Sequence, residues 1–132
     1  MSASFVFAYH PKTGTYFAQL RSGRVKNPGR WCIPGGKWNP GETPEKAAHR
    51  EFIEEVGVTP GKLLRVGHSQ PKQRAVYLWI TDEQFLPDLQ ASCADESADF
   101  RWVPLYDLPK PVAKWFLPMY AAAVLAIETK DW

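Results

Sequence analysis

Residues 36–58 read GKWNPGETPEKAAHREFIEEVGV, a stretch that sets Glu51, Glu54 and Glu55 within five residues of one another and closes them between two glycines. Thr43 is a good helix N-cap, Pro44 suits the first helical position, and Glu45 falls in the first turn, where the helix dipole favours an acid. Gly57 is a natural stop, because glycine takes the left-handed conformation beyond a last turn without strain. The spacing therefore predicts a helix over about residues 44–56. At roughly 100° per residue, Glu51, Glu54 and Glu55 fall in one sector about 100° wide, and Phe52, Ile53 and Val56 fall in another. One face is acidic and the other apolar. Arg50 stands four residues before Glu54, within reach of an ion pair with it.

Outward from this helix, residues 5–10 (FVFAYH) and 15–21 (TYFAQLR) flank PKTG and read as a hairpin with a short glycine-containing loop. Residues 23–30 (GRVKNPGR) are turn chemistry with basic residues mixed in. Three further candidate strands follow at residues 62–69, 74–80 and 98–105. AVYLWI and FVFAY are apolar without clean alternation, as expected of strands covered on both faces. That asks for helices on two sides of a sheet. The second helix is expected at about residues 112–129, where YAAAVLAIET has strong helix propensity and Pro118 should start or kink it.

Composition narrows the function. At 132 residues, 45% of them hydrophobic, the chain is long enough for one domain with a real core, so a single domain over residues 1–132 is expected. A net charge of +2 is too small for a sequence-blind nucleic-acid binder. Cys32 and Cys93 match no CxxC spacing, which points to free thiols in a reducing compartment. MSASFVFAYH has no basic n-region, and no stretch of about 18 apolar residues occurs. A cytoplasmic, membrane-free location is the expectation.

The wider spacing decides the reading. Gly36, Glu42, Arg50-Glu51, Glu54-Glu55 and Gly57 form one pattern of seven fixed identities, which background frequencies would produce on the order of once in a million chains of this length. The pattern resembles the Nudix box, complete at every fixed position, with Phe52 in a slot that more often holds a smaller aliphatic residue. GRWCIPGGKWNPGE is similar to the family's strand and loop before the helix, and ESADFRWVPLYDL to its late strand. The resemblance implies an α/β fold, the Nudix α/β/α sandwich with a mixed β-sheet between helices. It also implies metal-dependent hydrolysis of a nucleoside diphosphate linked to another group.

The chemistry of the acids agrees with that implication. Clustered carboxylates disfavour one another's ionisation unless a cation is present, and hard oxygen ligands select Mg²⁺ or Mn²⁺. Mapped by motif position, the resemblance makes Glu51, Glu54 and Glu55 metal ligands, with Glu54 doubling as base and Arg50 orienting a glutamate. Glu42 would brace the loop by a salt bridge or join the outer metal shell, and Gly36 and Gly57 would serve backbone geometry. Glu96, six residues before Trp102, is the candidate fourth ligand; Asp95 and Asp99 are its near neighbours in sequence. Lys37 is a candidate phosphate contact, and Trp31 and Trp102 are candidates to line the nucleotide site. His10, His49 and His68 read as surface or packing positions, with His49 on the apolar side of the helix.

The expected substrate is a small nucleotide, with a (deoxy)nucleoside triphosphate leading. HSQPKQR (residues 68–74) shares only Ser69-Gln70-Pro71 with the SQPWPFP element of NADH-cleaving members, so NADH is not inferred. Two rival readings are an RNA 5′-end pyrophosphohydrolase, which the basic residues 21–30 would suit, and a non-catalytic nucleotide- or partner-binding module. The sequence leaves the oligomeric state open.

Overall fold

The computed structural model describes residues 2–69, 74–130 and 132. Its strands are β1 (Ala3–His10), β2 (Thr15–Arg21), β3 (Trp31–Cys32), β4 (Gly35–Lys37), β5 (Leu64–Ser69), β6 (Arg74–Ile80) and β7 (Ser97–Pro104). The helices are α1 (Pro44–Val56) and α2 (Phe116–Glu128). The strands join in one sheet of order β3-β2-β1-β6-β5, with β4 beside β1 and β7 beside β2. The sheet is mixed: β1 runs parallel to β6 and antiparallel to β2 and β4. The Ser69-Gln70-Pro71 match extends outside the described residues.

Every residue of β1 is buried, as its unbroken apolar run predicts, and alternate side chains go to opposite faces. Phe5, Phe7 and Tyr9 join a core cluster with Tyr16, Val76 and Leu78 and with Phe116, Met119, Ala123 and Ile127 of α2. Val6 and Ala8 face the other way, joining Phe17, Ala75 and Tyr77 with Ala48, Phe52 and Val56 of α1. The result is an α/β/α sandwich.

The local chemistry of α1 matches its sequence signals. The Thr43 hydroxyl accepts from the Lys46 N–H at 3.2 Å, and Gly57 takes φ 75° while its N–H reaches the Ile53 carbonyl. Phe52 is fully buried and packs its ring near those of Phe17, Trp79 and Phe85. Burying such a side chain stabilises by about 2–3 kcal/mol.

Three expectations are corrected here. Ile53, placed in the apolar sector, is 40% exposed, whereas Glu55, placed in the acidic one, is 2% exposed. Helix α1 lies on the sheet along Ala48, Phe52 and Val56, a stripe narrow enough to leave Ile53 outside it and to turn Glu55 inward. The C-terminal helix starts at Phe116 rather than near residue 112, because Val112 is bridged to Trp31 in extended geometry. Pro118 then sits in the first turn, where its missing N–H removes no intrahelical bond. Residues 31–37 contribute two short strands to the sheet.

Candidate active site

Arg50 gathers the acidic residues of α1 and the loop before it. Its Nε and Nη2 donate to the two Glu42 oxygens at 2.8 and 2.9 Å. Its Nη1 donates to Glu51 Oε1 and Glu54 Oε1, each at 3.0 Å. A further bond from Nη2 reaches the Lys37 carbonyl at 2.9 Å, and Glu42 Oε1 also accepts from the Asn39 N–H at 2.8 Å. One planar guanidinium thus ties the loop after β4 to the helix, a fork that lysine does not reproduce. Hydrogen bonds from Arg50 and the Asn39 backbone hold the Glu42 carboxyl down at about 2. Glu42 in turn pushes the Arg50 guanidinium up.

Gly36 and Gln19 place the two inner acids. A Cβ at position 36 would run into the Glu51 carboxylate, so glycine opens the space that carboxylate fills. Glu55 is buried against β2, where Gln19 Nε2 donates to its Oε1 at 2.9 Å. Its other oxygen, Oε2, is buried with no hydrogen-bond partner. Burial raises the Glu55 carboxyl well above its ordinary range, and Gln19 only partly offsets that. Burial likewise raises Glu51, against the pull of Glu55 and Arg50. A buried carboxylate with one orphan oxygen beside a second acid calls for a proton or a cation.

Glu54 is more open, its side chain 33% exposed. Glu96 closes a 3₁₀ turn (Ala94–Glu96) leading into β7; it is half-buried and near enough to Glu55 to add to the rise of its carboxyl. Two backbone bonds fix this turn: Ser22 N–H to the Glu96 carbonyl at 3.0 Å and Cys93 N–H to the Glu54 carbonyl at 2.7 Å. Asp95 instead pairs with Arg24 at 3.3 Å, and Asp99 accepts from the Phe100 N–H. Among the described residues no three His, Cys, Asp or Glu side chains close as a metal cage. The fit to a divalent cation therefore rests on the all-carboxylate donor set and on the orphan oxygen of Glu55.

The structure corrects one of the two aromatic candidates, Trp31. Trp31 is 5% exposed in the α2-side core, with the Arg101 guanidinium over its ring at 4.6 Å. Trp102 packs into the α1-side core against Phe17 and Phe85 and donates its indole N–H to the Phe85 carbonyl at 3.3 Å. Trp31 is thus committed to the core, whereas Trp102 is half-buried on a strand whose side chains are mostly exposed or half-buried. Lys37 is exposed and offers its carbonyl, not its ammonium, to Arg50. His10 is buried, bonded to Thr13 Oγ1 and the Asp82 carbonyl. His49 is half-buried, and the side chain of His68 lies outside the described set.

Two features escaped the sequence reading. Gln19 was hidden in TYFAQLR, although an uncharged amide on a strand covered on both faces signals a buried polar partner. Arg21 and Arg74 both set their guanidiniums over the Trp115 ring, at 5.6 and 5.7 Å. Those residues lie on three separate elements, so no local spacing links them. A cleft of about 640 Å³ lined by Tyr9, Leu105, Tyr106 and Glu128 contains none of Glu42, Glu51, Glu54, Glu55 and Glu96; Tyr9 lies toward the opposite end of β1 from Ser4, which pairs with Gly36.

A NUDIX domain family model matches residues 2–123. A Bacillus subtilis (strain 168) protein provisionally named as an 8-oxo-dGTP diphosphatase is 34% identical over 60% of this chain and 56% of its own length. An RNA pyrophosphohydrolase of Actinobacillus pleuropneumoniae serotype 3 (strain JL03) is 30% identical over 76% of this chain and 63% of its own. The chain thus spans 56% and 63% of these relatives. Among solved structures, a MutT NUDIX hydrolase from Burkholderia pseudomallei superposes with a TM-score of 0.70 at 23% identity, covering 90% of this chain and 97% of that one. A Nudix hydrolase from M. smegmatis, RenU, gives 0.74 at 21% identity, covering 97% and 86%.

Proposed function

This chain belongs to the Nudix hydrolase family, and on that premise we propose that it hydrolyses the phosphoanhydride of a (deoxy)nucleoside triphosphate, releasing pyrophosphate. The observation that carries the proposal is the buried Glu55 carboxylate with its unpartnered Oε2 beside Glu51, at the end of a helix whose every fixed box residue is in place. A non-catalytic module has no use for a cluster of acids that costs stability when unliganded.

In this reading Glu51, Glu54 and Glu55 hold Mg²⁺ or Mn²⁺, with Glu96 as the further acid. The bound cation supplies positive charge that offsets the diphosphate and acidifies a water. Glu54, the most open of the three helix acids, takes the proton of the attacking water. Arg50 holds Glu51 and Glu54 in orientation, and Glu42 and the Lys37 carbonyl lock Arg50 itself. Arg21 and Arg74, converging on Trp115, offer an aromatic surface and two positive charges to an anionic nucleotide.

A second reading has one observation in its favour. The RNA pyrophosphohydrolase relative aligns over more of this chain than the diphosphatase does, and a 5′-triphosphate end presents the same anhydride. A Mg²⁺-dependent hydrolysis screen over nucleoside triphosphates, their oxidised forms and triphosphorylated oligonucleotides separates the two. Pyrophosphate from free nucleotides supports the first; preference for the oligonucleotide, with affinity falling steeply in salt, supports the second. No phosphate product from either would leave a binding module.

A further inference from the structure

We propose that Gln19 is the positioning residue of Glu55: it ties down one carboxylate oxygen and so presents the other as an open ligand position. The inference rests on the reading of Glu55 as a metal ligand.

The geometry is one of a fully committed amide. Gln19 is 4% exposed and Glu55 2%, so both side chains are shut off from bulk solvent. Ser97 Oγ donates to Gln19 Oε1 at 3.0 Å, which turns Nε2 toward Glu55 Oε1 at 2.9 Å. The remaining Nε2 proton points to Cys32 Sγ at 3.8 Å. The flipped amide would set a carbonyl oxygen against a carboxylate in a buried site, a contact that low polarity makes costly. Ser97 on β7 therefore decides the amide's orientation, and the amide decides which Glu55 oxygen stays open. That oxygen, Oε2, is the buried side-chain atom left without a partner among the described residues. Gln19, bonding only one oxygen, divides the carboxylate into an anchored half and a free half. Partners of this kind, behind a metal ligand, typically set affinity by 10- to 100-fold.

The test is Mn²⁺ binding, followed by the electron paramagnetic resonance signal of free Mn²⁺, without turnover. Wild type, Glu55→Gln, Gln19→Leu, Ser97→Ala and Ser97→Thr are compared, each checked for folding by circular dichroism and thermal melting. Gln19→Leu should weaken Mn²⁺ binding about tenfold or more. Ser97→Ala should weaken it by a smaller factor, and Ser97→Thr, which keeps the hydroxyl, should restore it. If Glu55→Gln binds Mn²⁺ like the wild type, the reading of Glu55 as a ligand fails, whatever Gln19 does. If Glu55→Gln loses binding while Gln19→Leu and Ser97→Ala keep wild-type affinity, the positioning role is overturned. Ser97→Ala keeps the test decisive should Gln19→Leu not fold.

Discussion

Gly36 and Glu51 adjoin so closely that a Cβ on residue 36 would stand 2.5 Å from the Glu51 carboxyl carbon and 2.6 and 2.7 Å from its oxygens. The glycine of the box is thus a steric requirement set by an acid fifteen residues away. It is not a turn requirement, since Gly36 lies in β4, paired with Ser4 of β1.

Gly36→Ala should therefore displace the Glu51 carboxylate while leaving the sheet intact. We expect turnover to fall by at least tenfold, since a shift of about 1 Å at a reacting site costs up to 10²-fold. The atoms met are the far end of a side chain that can turn aside, so the accompanying loss of stability should be small. Steady-state kinetics beside a urea melt checks both; wild-type turnover in a folded variant would show that Glu51 moves without consequence.

Glu54→Gln keeps side-chain size and loses the proposed base and a ligand. Turnover should drop at least 10²-fold, with metal-free thermal stability equal to the wild type or slightly higher, because one acid of the cluster is gone. Retention of more than about a tenth of the wild-type rate assigns the base elsewhere.

The Glu42–Arg50 pair should leave a signature in acid. The Glu42 carboxyl is held at about 2, below the ordinary value of about 4.3 in an unfolded chain. Between those values the unfolded chain binds the proton that the folded one refuses, so stability falls as pH falls. The contribution is complete above the unfolded value and is lost on the way down to the folded one. Urea melts of Glu42→Gln at pH 7 should show a deficit against the wild type that narrows by pH 3. A deficit independent of pH would assign it to packing rather than to the ion pair.

Glu96 differs from its neighbours in what it faces. Asp95 is engaged with Arg24 and Asp99 with the Phe100 N–H, whereas Glu96 is near enough to Glu55 to add to the rise of its carboxyl. Glu96→Gln should weaken Mg²⁺ activation and slow turnover by at least tenfold, an effect of the size seen when a partner of a metal site is lost. Asp95→Asn and Asp99→Asn should change little. Equal behaviour of all three in a Mg²⁺ titration of the initial rate would remove Glu96 from the site.

Helix α1, its caps and the two-sided strands were legible in sequence because each is a local matter. Thr43, Pro44 and Gly57 act within a turn of where they stand, and the apolar run of β1 reports its own burial. The seven box identities are legible for a related reason: they are held at one spacing on a single loop and helix, where 3.6 residues per turn translates sequence into direction. Tertiary structure decided what those directions meet. The period of the helix assigns Glu55 to an acidic face, but only β2, supplying Gln19 from 36 positions earlier, makes that face an interior. The same long-range packing took Trp31 into the core, laid Trp102 against it and brought Arg21 and Arg74 onto Trp115. Local spacing carries angle within one element; burial and partnership depend on which other element arrives, and that is set by the sheet order.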